Sequence, residues 1–338
     1  MRTRSLIIGL CCLFILGSVL SMSAKSQKLE EQAKFEIIEI GTGGSPIWSP
    51  DGTKLAFVYM GTLCVADADG KGEVKKIYIP KDRLWTFDWT SDSTFVVSEK
   101  RPWTTEGKGR GEKFIVKTVD MSGQVQKIRE DSIPGLPPEG LYFSYIGAPF
   151  VLKDGTVGYY EVHEQPEGET KIFKTIKQGK LKAEEAKRQL CTLVKPYPDG
   201  EIWLESLDGT IKKRVSKDGR WSFPELSPDG SKVFAFNLRG EIIVMDLEGK
   251  ILSNLGIGYP ARWSPDSKRV VFSVQKESEF DIIASEFYIV NADGTGRIQI
   301  TDTPDEIETS PVWSPDGTKI ACGSHSSSKI FVIKLSGK

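Results

Sequence analysis

Apolar residues along this chain come in short runs: KLAFVYM at 54–60, TLCVAD at 62–67, KVFAF at 232–236, EIIVMD at 241–246, KIACGS at 319–324 and KIFVIKL at 329–335. Asp, Gly, Pro and Ser separate them. Apolar runs of this length between turn residues predict strands joined by tight turns. One strand-turn-strand unit is written twice, as SPIWSPDGTKLAF at 45–57 and SPVWSPDGTKIAC at 310–322. In its centre Pro50 presets φ, Asp51 tolerates the next turn position and Gly52 supplies positive φ, so the unit is a hairpin.

Further copies lie between these two. RWSFPELSPDGSKVFAF (220–236) and YPARWSPDSKRVVFSV (259–274) are clear, and LWTFDWTSDSTFVVSE (84–99) and GAPFVLKDGTVGYYEV (147–162) are degenerate. Aligning them marks Trp48, Trp89, Val151, Leu226, Trp263 and Trp313, with a unit of about 40 residues that lengthens in the middle copies. After each mark comes a second pattern of strand, acidic-Gly turn and strand, as in GEIIVMDLEGKILSNL (240–255). Four strands repeated six times predict an all-β six-bladed β-propeller of four-stranded antiparallel blades. The last unit lacks a fourth strand, so KFEIIEI (34–40) is expected to pair with 329–335 and close the ring.

The P-x-W-S-P-D-G-x-x-I/L-A repeat resembles that of TolB-type six-bladed propellers, a WD40-like group also represented in the propeller domains of prolyl oligopeptidases. The resemblance covers 35–338, with four strong copies and two weak ones. It implies a periplasmic, protein-binding role of the kind TolB has in the Tol system. TolB carries an α/β domain ahead of its propeller, whereas only about ten residues stand here between residue 24 and the first strand, a departure from the TolB pattern.

Arg2 and Arg4, the apolar run 6–20 and the small residues Ser21 and Ser23 have the order of a secretory signal. The expected organisation is a signal peptide at 1–24, a short leader at 25–34 and one propeller domain at 35–338 with an insertion at 163–198. The product would be exported, periplasmic or associated with the cell envelope, without a membrane span after cleavage; an uncleaved anchor is the rival reading. With 45 basic and 46 acidic residues and no cationic stripe, nucleic acid is not an expected partner. Cys64, Cys191 and Cys322 form no C-x-x-C pair and read as buried free thiols. The pairs Asp67 with Asp69 and Asn291 with Asp293 lack a full calcium-loop pattern, so no metal and no cofactor is expected.

In such a blade the long connections between second and third strands, EKRPWTTEGKGRGE (99–112), 163–198 and QKESEFDIIAS (275–285), open on the end opposite the SPDG turns, and long loops on a rigid scaffold carry binding residues. The candidate contact residues there are Arg83, Trp85, Arg101, Trp103, Arg110, Tyr142, Tyr145, His163, Arg220, Tyr259 and Arg262. Trp85, Trp221 and Tyr259 could equally pack between blades, and KLKAEEAKRQL (180–190) has good helix formers. There is no G-x-S-x-G elbow, His163 and His325 are the only imidazoles, and HEQPE is not a zinc helix. The chain is therefore expected to be no enzyme but a protein-binding or scaffold module. The alternatives are a carbohydrate- or peptide-binding propeller, or a lyase- or hydrolase-like enzyme with a channel-mouth site.

Overall fold

The computed structural model describes residues 35–105, 109–133, 145–146, 150–151, 157–158, 161–162, 190–194, 200–206, 212–278, 281–303 and 306–335. Its elements are all strands. After β1 (Phe35–Thr42) come β2 (Gly44–Trp48), β3 (Lys54–Tyr59), β4 (Thr62–Asp67) and β5 (Lys75–Tyr78), which pair in that order as one antiparallel sheet. A second sheet holds β6 (Arg83–Ser91), β7 (Thr94–Thr105), β8 (Gly109–Asp120) and β9 (Val125–Ile133). Two short ribbons follow, β10 (Tyr145–Ile146) with β13 (Glu161–Val162), and β11 (Phe150–Val151) with β12 (Val157–Gly158). Next stands a three-stranded sheet of β14 (Leu190–Val194), β15 (Ile202–Ser206) and β16 (Lys212–Arg214). β17 (Ser222–Leu226), β18 (Lys232–Phe236), β19 (Glu241–Asp246) and β20 (Ile251–Ile257) form another four-stranded sheet. So do β21 (Ala261–Trp263), β22 (Arg269–Glu277), β23 (Ile282–Asn291) and β24 (Ile298–Gln299). The last sheet joins β25 (Glu308–Trp313), β26 (Lys319–Ser324) and β27 (Lys329–Leu335) to β1, which pairs with β27 from Phe35 opposite Leu335 to Thr42 opposite Lys329.

This is an all-β fold of antiparallel, mostly four-stranded sheets in a propeller-like arrangement. The central strands read as continuous apolar runs because both their faces are covered. Leu55 and Phe57 of β3 pack with Ala321, Ile330 and Val332 of the last sheet, while Ala56 between them packs with Phe95 and Val97 of the second.

The marked tryptophans stitch neighbouring first strands together. The indole N–H of Trp263 donates to the Glu225 carbonyl at 3.0 Å, that of Trp313 to the Arg262 carbonyl at 3.3 Å, and that of Trp48 to the Val312 carbonyl at 3.0 Å. Each bond links one sheet to another. Trp89 departs from this pattern, because its buried Nε1 has no partner.

The SPDG turns satisfy themselves. Ser49 donates to Asp51 Oδ1 at 2.6 Å and accepts from the Lys54 N–H at 2.9 Å, and Ser227, Ser264 and Ser314 repeat both bonds. The third turn position has φ near +70° at Gly52, Gly230 and Gly317, and Ser267 takes it at 61°. The Ser267 hydroxyl is used, accepting from the Asp229 N–H at 3.0 Å.

Two expected loops differ. Residues 99–105 and 109–112 extend the β7–β8 pairing, with Arg101 opposite Lys113, Trp103 opposite Gly111 and Thr104 opposite Arg110. Likewise Gln275 lies opposite Ser285 and Lys276 opposite Ala284. Pairing satisfies the backbone groups of both segments without needing apolar side chains.

Candidate functional site

Three first strands share a bulged corner. In β2, β17 and β25 the pairing shifts register between Gly44 and Ile47, Ser222 and Glu225, and Thr309 and Val312. At each bulge a residue before proline has positive φ: Ser45 at 55°, Phe223 at 45° and Ser310 at 55°. Left-handed backbone costs a non-glycine residue about 1–2 kcal/mol, and bulky side chains are the rarest there. Two corners hold serine; the third holds a phenylalanine that is 64% exposed. Such an outlier calls for a functional explanation.

Phe223 is not alone. Its ring centroid lies 5.2 Å from Tyr259 and 6.3 Å from Phe236, and those two are 5.4 Å apart. Tyr259 is 47% exposed, and Leu238 and Ile257 stand exposed at the same end of the β17–β20 sheet. Met60, Ile79 and Trp85 are exposed at the corresponding ends of the first two sheets. At the opposite end the exposed large apolar side chains, such as Val125, Ile251 and Ile298, begin the last strand of their sheet.

Beside this apolar corner stands an ion pair. Arg262 Nη1 lies 3.4 Å from Glu225 Oε2, and the Trp263 N–H donates to Glu225 Oε1 at 3.1 Å. Burial pushes the Glu225 carboxyl above its ordinary range, against the pull of Arg262 and of the Trp263 N–H. Asp88 holds the matching place before Trp89, and burial raises it to about 6 although the Trp89 N–H donates to it at 2.8 Å.

A second buried carboxylate has a structural explanation. Glu99 is fully buried, accepts from the Tyr78 hydroxyl and lies 2.8 Å from Lys117 Nζ, which also donates to Tyr78 at 2.9 Å. Tyr78 belongs to the first sheet and the other two to the second, so the triad joins them.

The expected site residues that the structure describes belong to several different sheets. Arg83 and Trp85 lie at the start of β6, with Lys100 Nζ 4.3 Å from the Trp85 ring centroid. Arg101, Trp103 and Arg110 lie in the extended hairpin, and Tyr145 begins β10. Arg220 is exposed at φ 105°. Its neighbour Trp221 packs against the Ile202 and Val215 cluster and donates to Asp218 at 2.9 Å. Tyr142, His163 and the segment 180–189 fall outside the described residues. Of the whole set the structure brings Tyr259 and Arg262 to one corner. Phe223, Phe236 and Glu225 complete that corner, and the sequence reading missed them. Comparing the residue before proline in successive copies, serine at 45 and 310 against phenylalanine at 223, carried the signal.

Among the described residues no three His, Cys, Asp or Glu side chains are grouped to hold a metal ion, and no helix is long and apolar enough to cross a membrane. Cys64 and Cys322 are buried free thiols.

The class defined by these sheets is an all-β, propeller-like protein. No protein-family model and no curated protein matches the chain. Among solved structures it is similar to an oligogalacturonate lyase in complex with manganese, at 18% identity and TM-score 0.43 over 87% of this chain and 77% of that one. It is also similar to a protein described as TolB from Agrobacterium tumefaciens, at 17% identity and TM-score 0.46 over 90% and 98%. An oligogalacturonate lyase from Vibrio parahaemolyticus matches at 15% identity and TM-score 0.44 over 86% and 78%. At this identity the likeness concerns the fold alone. It nevertheless corrects one expectation: two of these three structures are lyases, so the exclusion of catalysis read from the sequence does not stand.

Proposed function

We propose that the protein is an exported six-bladed propeller that binds a polypeptide segment at the end of the sheets where Phe223, Tyr259 and Arg262 meet. The observation that carries this reading is the exposed ring of Phe223, held at a φ of 45° where the equivalent corners hold serine. Exposed aromatic and aliphatic side chains around a few polar groups suit apolar side chains of a partner, and aromatic residues and Arg dominate the energetics of such contacts. Arg262 and Glu225 supply the polar pair; Arg83, Trp85, Arg101, Trp103, Arg110 and Arg220 are proposed as flanking contacts. The β1–β27 pairing and the Trp48–Val312 bond support closure of the ring between the first and last sheets. Residues 1–24 support export, and protein recovered from its host is expected to begin near Ala24 or Lys25.

The test is selection from a displayed peptide library, run beside a panel of oligosaccharides, with the unaltered protein and Phe223→Ser. Peptides rich in aromatic and aliphatic residues are expected to be retained by the first and lost by the second. Retention of oligosaccharides alone, or peptide selection indifferent to the substitution, contradicts the reading.

A further inference from the structure

At the corner end of the β17–β20 sheet, three connections each carry an exposed apolar side chain together with an exposed arginine. The entry into β17 supplies Phe223 and Arg220, the β18–β19 turn supplies Leu238 and Arg239, and the passage from β20 into β21 supplies Tyr259 and Arg262. Arg220 and Phe223 both have positive φ, at 105° and 45°, although neither is glycine. The Gly200 carbonyl accepts from the N–H groups of Arg220 at 3.2 Å and Trp221 at 3.0 Å, which fixes the start of this stretch against the third sheet. Left-handed residues with bulky side chains persist only where their surroundings hold them, and they gather at binding sites.

These arginines keep unused donors. Arg262 employs Nη1 alone, donating to the Ala261 carbonyl at 2.8 Å and lying 3.4 Å from Glu225 Oε2. Its Nε and Nη2 have no partner among the described residues, and together they form an edge with which a guanidinium grips a carboxylate through two parallel bonds. The side chains of Arg220 and Arg239 make no hydrogen bond or ion pair with any described residue. The acids nearby are served by other donors. Asp218 accepts from the Trp221 indole at 2.9 Å, and Glu225 Oε1 accepts from the Trp263 N–H at 3.1 Å. Glu241 accepts from Asn237 at 2.7 Å and Asn254 at 3.1 Å, which hold its carboxyl below the ordinary range, and the Arg239 charge adds to this from beyond ion-pair distance. The corner thus pairs an apolar platform with guanidinium donors that no described acceptor saturates.

We propose that the segment bound at this corner is acidic: an aromatic or aliphatic residue packs on Phe223 and Tyr259, and a carboxylate close to it in the chain takes the Nε–Nη2 edge of Arg262, with Arg220 and Arg239 meeting further carboxylates. This rests on the polypeptide reading above and adds to it the charge of the partner. A carboxylate matches the guanidinium fork in shape as well as in sign, whereas an amide or hydroxyl oxygen offers a bond of about half the strength. A basic segment would bring like charge to three arginines and is disfavoured. Asp and Glu side chains and a free chain terminus present the same group to the fork.

Two displayed peptide libraries, one with free C-termini and one joined to its carrier through the C-terminus, test the assignment on the full-length chain and on Arg262→Gln. Retained peptides are expected to carry Asp or Glu within two residues of an aromatic or aliphatic anchor; enrichment in the free-terminus library alone assigns the carboxylate to the chain end. Fluorescence anisotropy then compares one retained peptide with its counterpart in which each carboxylate is replaced by the amide. The amide form should bind at least about tenfold more weakly, the contribution of one charged hydrogen bond, and the difference should shrink as salt rises from about 50 to about 500 mM. Arg262→Gln, unfolding like the original, should lose most of that difference. Retained peptides that are apolar without carboxylates, or an acidic preference undiminished in Arg262→Gln, would overturn the proposal and leave the polypeptide reading standing. Retention of no peptide from either library would overturn that reading and this inference with it.

Discussion

The two ends of the sheets are built on opposite principles. At the SPDG end, four turns repeat the same serine-aspartate bond at 2.5–2.6 Å, and the serine and aspartate side chains find each other within two residues. Repetition there serves hairpin formation and offers nothing distinctive to a ligand. At the other end equivalent positions diverge. Ser45 and Ser310 give way to Phe223, and two buried glutamates differ in their partners: Glu99 meets the Lys117 cation and the Tyr78 hydroxyl, whereas Glu308 meets the Thr303 hydroxyl, and each keeps its Oε2 unpartnered. Sites that break the local rule without a structural gain are where function is to be sought.

The largest effect is expected from breaking the paired glutamate. Lys117→Met strands the Glu99 charge in the interior and should cost about 3–5 kcal/mol in chemical denaturation. A cost below about 1 kcal/mol would show that Glu99 depends little on its cation. For Glu308 the handle is pH. Burial raises its carboxyl to about 7 from 4.5, so the folded protein keeps a proton that the unfolded chain releases. Its contribution to stability is therefore fullest below 4.5 and is lost as pH rises to about 7. Comparing the unaltered protein with Glu308→Gln across that window should reveal a change of about 3 kcal/mol in their stability difference. A pH-independent difference would place Glu308 in an ordinary carboxylate environment.

A smaller contrast separates two of the marked tryptophans. Trp48 donates across sheets to Val312 and Trp89 donates to nothing, so Trp48→Phe should cost about 1 kcal/mol more than Trp89→Phe in the same assay. Equal costs would mean that the stitch contributes little. Smallest of all is the effect of Phe223→Gly on stability. Relief of the left-handed strain offsets the lost ring contacts, and the midpoint should move by less than about 1 kcal/mol.

Much of this fold is legible in the chain because each central strand is buried on both sides. Leu55, Ala56 and Phe57 all have to be apolar, and the turns between such runs need Pro, Asp and Gly for reasons of φ alone. The segment 99–112 was misread as a loop because Arg, Lys, Gly and Thr hide a strand whose pairing needs only backbone groups. Glu308 was illegible for another reason. In TDTPDEIETS it looks like one more solvated acid, and residues that line a cavity with it, Ile37 of β1 and Phe331 of β27, come from the far ends of the sequence. Phe223 could have been found by asking which copy of the repeat departs at the residue before proline. Arg and Trp were sought instead as types, which led to positions around the corner more than to the corner itself.

The most direct test of the account is the affinity of one library-selected peptide for the unaltered protein and for Phe223→Ser, a change that only restores the residue found at the two equivalent corners. Loss of a central aromatic anchor should weaken binding by about thirtyfold, with the unfolding midpoint nearly unchanged. Affinity preserved within about twofold, on a variant that unfolds like the original, would contradict the assignment of function to this end of the sheets.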